Sequence, residues 1–424
     1  MIGGGLAGMA ACIHLAKAGM RVLCVDAGGI ENDAVGESLD WSAPGLLADF
    51  GLTMDRLIAE KIATYKRHVT LKLGDGCDQS YIPGEWLGRP PFNVELRTLH
   101  VDRNQLNRQL RELVLSCGVT LLEDRVVTVE TNGRRVEAVS TQLGKRISCP
   151  WFIDASGSAS SLLARAFQLP TYEVGPRKVA IWAYFPVTTP VEGTTLYADG
   201  VKPPYMEWVW EIPINPGTIS VGYVATGETI KAGRQQGETV EAILREKLSR
   251  FPRFESLLRA VPAITPSVTS FICRMHGRVA GPNWLIAGEA AAMVDPMTAN
   301  GVTAALRHAA EASRLLIESR HRKRIPWLGA AMYGRRILDL AMFFNCGIER
   351  VIYESPIRNR IGILKAGDVY TVPAWSFNAI YSRLRPRGVL KTLLFCSLVN
   401  LSRLGMRLFY SFCKWQQPSQ QAAV

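Results

Sequence analysis

Two periods of apolar residues run through the chain. Leu6 to Gly19 is a helical stretch, and Arg21–Val25 is a strand that ends on Asp26. Short helices are expected around Ala43–Phe50 and Met54–Ile62, with a strand over Tyr65–Leu73 and a turn at Gly74-Asp75-Gly76. Gly84 to Phe92 is rich in Gly and Pro and predicts a loop. From Asn104 to Cys117, Leu106, Leu110, Leu113 and Val114 share one helical face, introduced by Val101-Asp102-Arg103. Thr120 to Glu137 alternates as strands do, and Trp151 to Gly157 is a buried strand that runs into a Gly/Ser turn. Residues 175 to 280 predict strands broken by Pro and Gly, with a helix over Val240–Ser249. A short apolar strand, Trp284 to Ala287, then leads to a helix that continues through Leu316, and helical segments fill the rest to Trp415.

The first thirty residues carry the strongest chemical signal. Gly3-Gly4-Gly5-Leu6-Ala7-Gly8 has the spacing GxGxxG, followed by the helix and the strand at βαβ distance. Gly3 allows a tight turn, Gly5 lets the backbone approach a pyrophosphate, and Gly8 lets helix and strand pack closely. The helix N-terminus offers free N–H groups and a positive dipole end to phosphates. Asp26, about twenty residues on, is placed to accept hydrogen bonds from a ribose. Only Met1 and Ile2 stand where the first strand of such a unit normally supplies several apolar residues. Either residues before Met1 are missing or the central strand is short.

Composition narrows the class. The chain has 424 residues and 48% apolar content, which is enough for a large core. The net charge of +12 admits nucleic acid, a membrane surface or an acidic partner. No nucleic-acid motif is present, and the excess is concentrated towards the C-terminal end. The nine cysteines are scattered without CxxC pairs, which predicts reduced thiols in a cytoplasmic protein and no metal site. No uninterrupted apolar run reaches the roughly 18 to 20 residues that span a bilayer.

Three separated pieces, the glycine loop, Asp154-Ala155-Ser156-Gly157 and Gly288 to Gly301, occur in the order found in two-domain flavoproteins that resemble the aromatic hydroxylases. Glu207-Trp208-Val209-Trp210-Glu211-Ile212-Pro213 contains WxWxIP and resembles the signature of the flavin-dependent halogenases, the tryptophan-halogenase family. Gly36-Glu37-Ser38 and Val101-Asp102-Arg103 also recur in that family and its monooxygenase relatives, and the resemblance covers residues 1 to about 320. It implies an α/β fold: an FAD-binding doubly wound (Rossmann-like) domain, an inserted antiparallel β-sheet substrate domain and a helical C-terminal region. The boundaries follow as 1–170 and 281–325 for the two parts of the FAD domain, 171–280 for the substrate domain and 326–424 for the helices.

The resemblance assigns roles. Gly3, Gly5, Gly8 and Asp26 bind the ADP half of FAD, Arg103 contacts the flavin linkage, and Gly288, Glu289 and Asp295 flank the ribityl chain. Glu289 departs from the pattern, because Asp is usual there. Asn300 and Gly301 face the ring, where the dipole of the following helix stabilises reduced flavin. Trp208 and Trp210 share one strand face and form either a wall between flavin and substrate or a pair of core residues. Lys66 resembles the lysine that lies between flavin and substrate in the halogenases; an exposed lysine on an amphipathic strand fits the same sequence, with Lys72 as the next candidate.

The implied reaction is monooxygenation through a flavin C4a-hydroperoxide, hydroxylating an electron-rich aromatic substrate. Halogenation follows instead if Lys66 is buried between flavin and pocket. Asn300 stands where halogenases usually carry Ser or Thr, and so favours hydroxylation or a prenyl reductase of the geranylgeranyl type. The substrate is an aromatic small molecule or a carrier- or protein-bound group. No second GxGxxG is present, so hydride comes from transiently bound NAD(P)H or from a partner flavin reductase. After Asp368 the chain has no acidic residue, and Arg383, Arg385, Arg387, Lys391, Arg403, Arg407 and Lys414 alternate with apolar residues. Leu390 to Trp415 is therefore either a membrane-surface or acidic-partner contact, or a closing helix with a basic face in water.

Overall fold

The computed structural model describes the chain except residues 29–35, 74–77, 82–88, 91–92, 94–96, 158–160, 188–191, 199–204 and 417–424. The expected Gly74-Asp75-Gly76 turn and most of the Gly84–Phe92 loop lie outside the described residues.

A parallel sheet forms the nucleotide domain. Leu23–Asp26 pairs with Thr120–Glu123, and Phe152–Asp154 pairs with Trp284–Ile286. Ile2 joins the two pairs by parallel bridges to Val25 and Asp154. Met1 to Gly3 hydrogen-bond to the strands on both sides. Ile2 N–H donates to Ile153 O at 2.9 Å, and Gly3 N–H donates to Val25 O at 2.8 Å. The helices Leu6–Lys17 and Gly301–Ser319 pack on each other beside this sheet. The helix Arg103–Ser116 starts where the Asp102 carboxylate accepts the Gln105 N–H at 3.0 Å, an N-cap that sets Arg103 in the first turn. Leu106, Leu110 and Val114 fill its buried face, as the spacing predicts.

The second sheet has seven strands in the order Ser267–His276, Thr171–Pro186, Thr218–Thr226, Trp208–Asn215, Thr194–Ala198, Val69–Leu73 and Asp78–Tyr81. It is antiparallel except where Thr194–Ala198 meets Val69–Leu73. Two of its strands therefore come from residues assigned above to the first part of the FAD domain. The expected strand Tyr65–Leu73 is two strands. Ala63–Lys66 pairs with Thr98–Val101, and Val69–Leu73 crosses to the large sheet. The chain changes sheets at Arg67-His68, so the segment from 63 to 73 serves two surfaces.

Alternation along these strands separates two cores. Trp182, Trp208, Trp210 and Val224 face the nucleotide domain. Ile181, Val209, Val221 and Tyr223 face a second core, closed by the helices Gly227–Gln235, Val240–Ser249 and Pro252–Ala260. Trp210 lies opposite Gly222 in the register, and a Cβ there would collide with the indole. Gly222 makes the room in which Trp210 packs.

The C-terminal region is helical, as expected: Trp327–Gly347, a π-helical turn Ile348–Tyr353, then Ser355–Ile361, Ile363–Leu384 and Val389–Trp415. The last of these is apolar enough, by length and composition alone, to cross a membrane, although no uninterrupted apolar run in it is long enough.

Candidate active site

A cavity of about 860 Å³ opens between the two sheets. The glycine loop forms one end of it. Gly3 has φ +93°, and a Cβ there would sit 2.5 Å from Ala155 O. A Cβ on Gly8 would overlap the Gly3 carbonyl. Gly5 differs from both: nothing lies within 4 Å of its added Cβ, and it lines the cavity with Leu6 and Ala7. The backbone is bare towards open space where a pyrophosphate would approach. Asp26 accepts the Gly4 N–H at 2.8 Å through Oδ1, which holds the strand end against the loop.

Asp154 organises the second piece. Its fully buried carboxylate accepts from Ser156 N–H at 3.0 Å, Ser161 Oγ at 3.1 Å and Leu163 N–H at 2.9 Å. That closes the turn and leaves Ala155 and Gly157 on the cavity wall. Arg103 also lines the cavity and donates through Nη1 to Gly36 O at 3.3 Å. Gly288, with φ +64°, opens the turn after the last parallel strand, and Glu289 lines the cavity. Gly301, Val302 and Ala305 bring the N-terminal end of Gly301–Ser319 to the same space.

Of the expected cofactor contacts, Gly5, Arg103, Glu289 and Gly301 line this cavity, and Gly3, Gly8, Asp26, Gly288, Asp295 and Asn300 do not. Asp295 is fully buried and is not on the cavity wall. Its carboxylate stands 3.3 Å from the Lys178 Nζ and accepts from Tyr353 OH at 3.1 Å and Met297 N–H at 3.0 Å. A buried carboxylate needs a partner, and the inward lysine supplies one. A bulge between Val174 and Lys178 sets the register on that strand, and Glu349 meets Lys178 at 3.0 Å. Burial pulls the Lys178 pKa down, but Asp295 and Glu349 more than reverse this and leave it raised. Asn300 is likewise turned away from the cavity. Its Nδ2 donates to Asp40 Oδ2 at 2.6 Å, so its amide is not presented to a ring.

Trp208 and Trp210 both line the cavity, their ring centroids 5.8 Å apart. The Trp208 indole donates to Tyr353 OH at 2.9 Å, and that of Trp210 donates to Ser220 Oγ at 3.0 Å. Both polar edges are satisfied by protein, which leaves apolar faces as a wall.

A second cavity of about 160 Å³ adjoins the first, and Lys66, Met297, Ala299 and Trp208 line both. Phe344, Ile348, Ile352, Tyr370 and Trp375 make its far side apolar. Lys66 is only 4% exposed, so it is not a surface lysine. Its Nζ donates to Ser38 Oγ at 2.9 Å and Leu39 O at 3.0 Å, and stands 5.6 Å from the Trp41 ring centroid. Burial lowers its pKa to about 8, against the opposing pull of Asp40. Lys72 lines neither cavity.

Three participants had no assigned role in the sequence. Asp40 is a buried hub that accepts from Asn300 and Thr303, each at 2.6 Å, and from Ser42 N–H at 2.7 Å. It ties the loop whose Ser38 and Leu39 hold Lys66 to the start of Gly301–Ser319. Glu37 is buried on the cavity wall, and burial raises its pKa. Tyr184 OH donates to it at 3.3 Å. Glu37 lies inside the quoted Gly-Glu-Ser motif and was legible as a candidate. Tyr353 had no signal, because only the π-helical turn sets its direction. His100 and His308 are buried, and burial lowers their pKa and that of His14.

A bare glycine loop on one helix end and a second helix end on the wall of the same cavity are what a bound FAD would need. The family model "Tryptophan halogenase" matches residues 93–324, and "FAD dependent oxidoreductase" matches residues 1–175. The chain belongs to the tryptophan halogenase family.

A tryptophan 2-halogenase of Chondromyces crocatus is 28% identical over 331 residues, covering 73% of this chain and 59% of that protein. The chain thus spans about three-fifths of that relative. A 1H-pyrrole-2-carbonyl-[peptidyl-carrier protein] chlorinase of Pseudomonas fluorescens is 26% identical, covering 88% of this chain and 89% of that protein. A menaquinone reductase of Mycolicibacterium smegmatis is 29% identical, covering 74% and 75%. Among solved structures, the fold matches the flavin-dependent brominase Bmp2 (a triple mutant) with a TM-score of 0.72 at 17% identity, covering 94% of this chain and 97% of that one. It matches the flavin-dependent halogenase CmlS with a TM-score of 0.71 at 21% identity, covering 97% and 77%. It also matches PqsL of Pseudomonas aeruginosa in complex with 2-aminobenzoylacetate with a TM-score of 0.70 at 16% identity, covering 86% and 98%.

Proposed function

We propose that this enzyme halogenates an electron-rich aromatic ring. The observation that carries the reading is Lys66, a buried ammonium that lines both the cofactor cavity and the apolar cavity beyond it. When bound and reduced, FAD supplies the two electrons that let dioxygen oxidise halide to hypohalous acid. The Lys66 ammonium donates a hydrogen bond to that acid and so polarises the oxygen–halogen bond towards the ring. The ring carbon takes the halogen and loses a proton, and the oxygen leaves as water. Trp208 and the apolar far wall exclude water, which would otherwise consume the oxidant. Ser38 and Leu39 O hold the ammonium in place.

The test supplies FAD, NADH, a flavin reductase, bromide and a panel of indoles, phenols and carrier-bound pyrroles. The expected product carries one bromine, read by its isotope pattern. Asn300 supports a second reading, direct hydroxylation, because no Ser or Thr precedes Gly301. A product that gains one oxygen whether or not halide is present overturns halogenation in favour of that reading. A product that gains two hydrogens without oxygen uptake overturns both.

A further inference from the structure

We propose that the last helix, Val389–Trp415, seats the enzyme on an anionic lipid surface, lying in its plane. One side of the helix is spent on the protein. Phe395, Cys396, Val399 and Met406 are buried, and the helix packs along Trp327–Gly347 and Ser355–Ile361. The opposite side has no cover among the described residues. Leu390, Leu394, Leu401, Leu408, Phe412 and Trp415 fall on one face at helical spacing, and all six are half exposed or more. Leu390 and Trp415, at 80% and 81%, stand at its two ends. The row is about 38 Å long at 1.5 Å per residue. Of the two readings open in the sequence, this favours a surface contact over a basic face in water: the outward face is apolar, and the basic residues lie beside it. By helical spacing, Lys391 lies on one flank and Arg407 and Lys414 on the other; all three are exposed.

Charge selects the occupant. No acidic residue follows Asp368, while seven basic ones do. A second copy across the same face would add seven more positive charges with no carboxylate in this segment to pair with. An anionic bilayer answers both features. Its acyl region takes the leucine row, and its headgroups take the ammonium and guanidinium groups, whose stems snorkel outward. The helix does not cross the bilayer, because its buried side is held along two other helices of the same body. This assignment is independent of the reaction catalysed.

The test is co-sedimentation of the full chain with vesicles of phosphatidylcholine alone or with a quarter phosphatidylglycerol. Binding is expected to the anionic vesicles, at least tenfold weaker to neutral ones and at least tenfold weaker in 0.5 M NaCl. The double variant L401E/L408E is expected to keep its circular dichroism and its FAD absorbance and to lose sedimentation. A milder pair, L401N/L408N, serves if the first fails to fold. Wild-type protein that stays in the supernatant with anionic vesicles overturns the proposal. So does a wild-type dimer that L401E/L408E dissociates, or capture of an acidic carrier protein, when either occurs without vesicle binding.

Discussion

Lys66 shows how much one side chain depends on its cage. Its sequence neighbours Arg67 and His68 suggest an exposed basic strand, yet its Nζ is buried against Ser38 and Leu39 O. Since burial lowers its pKa to about 8, the ammonium is present below that pH and is lost as pH rises through it. Halogenation should fall on the alkaline side with a midpoint near 8, read from initial rates across a pH series. Lys66→Met should reduce turnover by about 10²- to 10⁴-fold, the range of a general acid, while FAD titration stays unchanged. Lys178 is a different case. It stands between two buried carboxylates and does not touch the cavity. Lys178→Met leaves Asp295 and Glu349 facing each other without a cation, at a cost of about 3–5 kcal/mol. A sharp drop in the thermal midpoint is expected, and an unchanged midpoint would show that the pair carries no such strain.

At the scale of elements, the three glycines of the first loop separate by function. Gly8 packs helix against loop, so Gly8→Val should unfold the nucleotide domain or abolish soluble expression. Gly5 faces open space, so Gly5→Val should leave the apoprotein's circular dichroism and melting unchanged and still weaken FAD binding by tenfold or more. Equal losses in both variants, seen in the same melting and fluorescence titrations, would remove the distinction. Gly222 is the equivalent in the large sheet. Gly222→Ala pushes on the Trp210 indole and should alter product yield without releasing FAD. The glycine loop, its helix and the strand ending on Asp26 were legible because local spacing alone builds them. The strand over 65–73 was misread as one because its period of two continues through the crossover, while the hydrogen-bond partners change.

The whole molecule brings the large cavity together from segments more than 250 residues apart, from Gly5 to Ala305. No second glycine loop of GxGxxG spacing is found in the chain to hold NAD(P)H. Bound FAD should therefore bleach slowly with NADH alone and quickly when a flavin reductase is added, as followed by absorbance under anaerobic conditions. Rapid bleaching by NADH alone would place a nicotinamide site on this chain. The family, the cofactor and the order of the motifs were readable because each motif keeps its residues close in sequence. The substrate cavity was not, since its far wall comes from Phe344 to Trp375, where apolar helices carry no distinguishing pattern.

Sequence alone pointed to the glycine loop, its helix and the strand ending on Asp26, because short-range spacing dictates turns, caps and strand faces, and the family resemblance added the candidates Lys66, Trp208 and Trp210. Only the tertiary structure decided that Lys66 is buried between two cavities, that Asp295 and Asn300 lie off the cavity wall, and that the last helix shows water its leucines. Those outcomes rest on which distant partner reaches a buried polar group first, and on which face of a helix finds another to pack against. Neither is written in the spacing of any one segment.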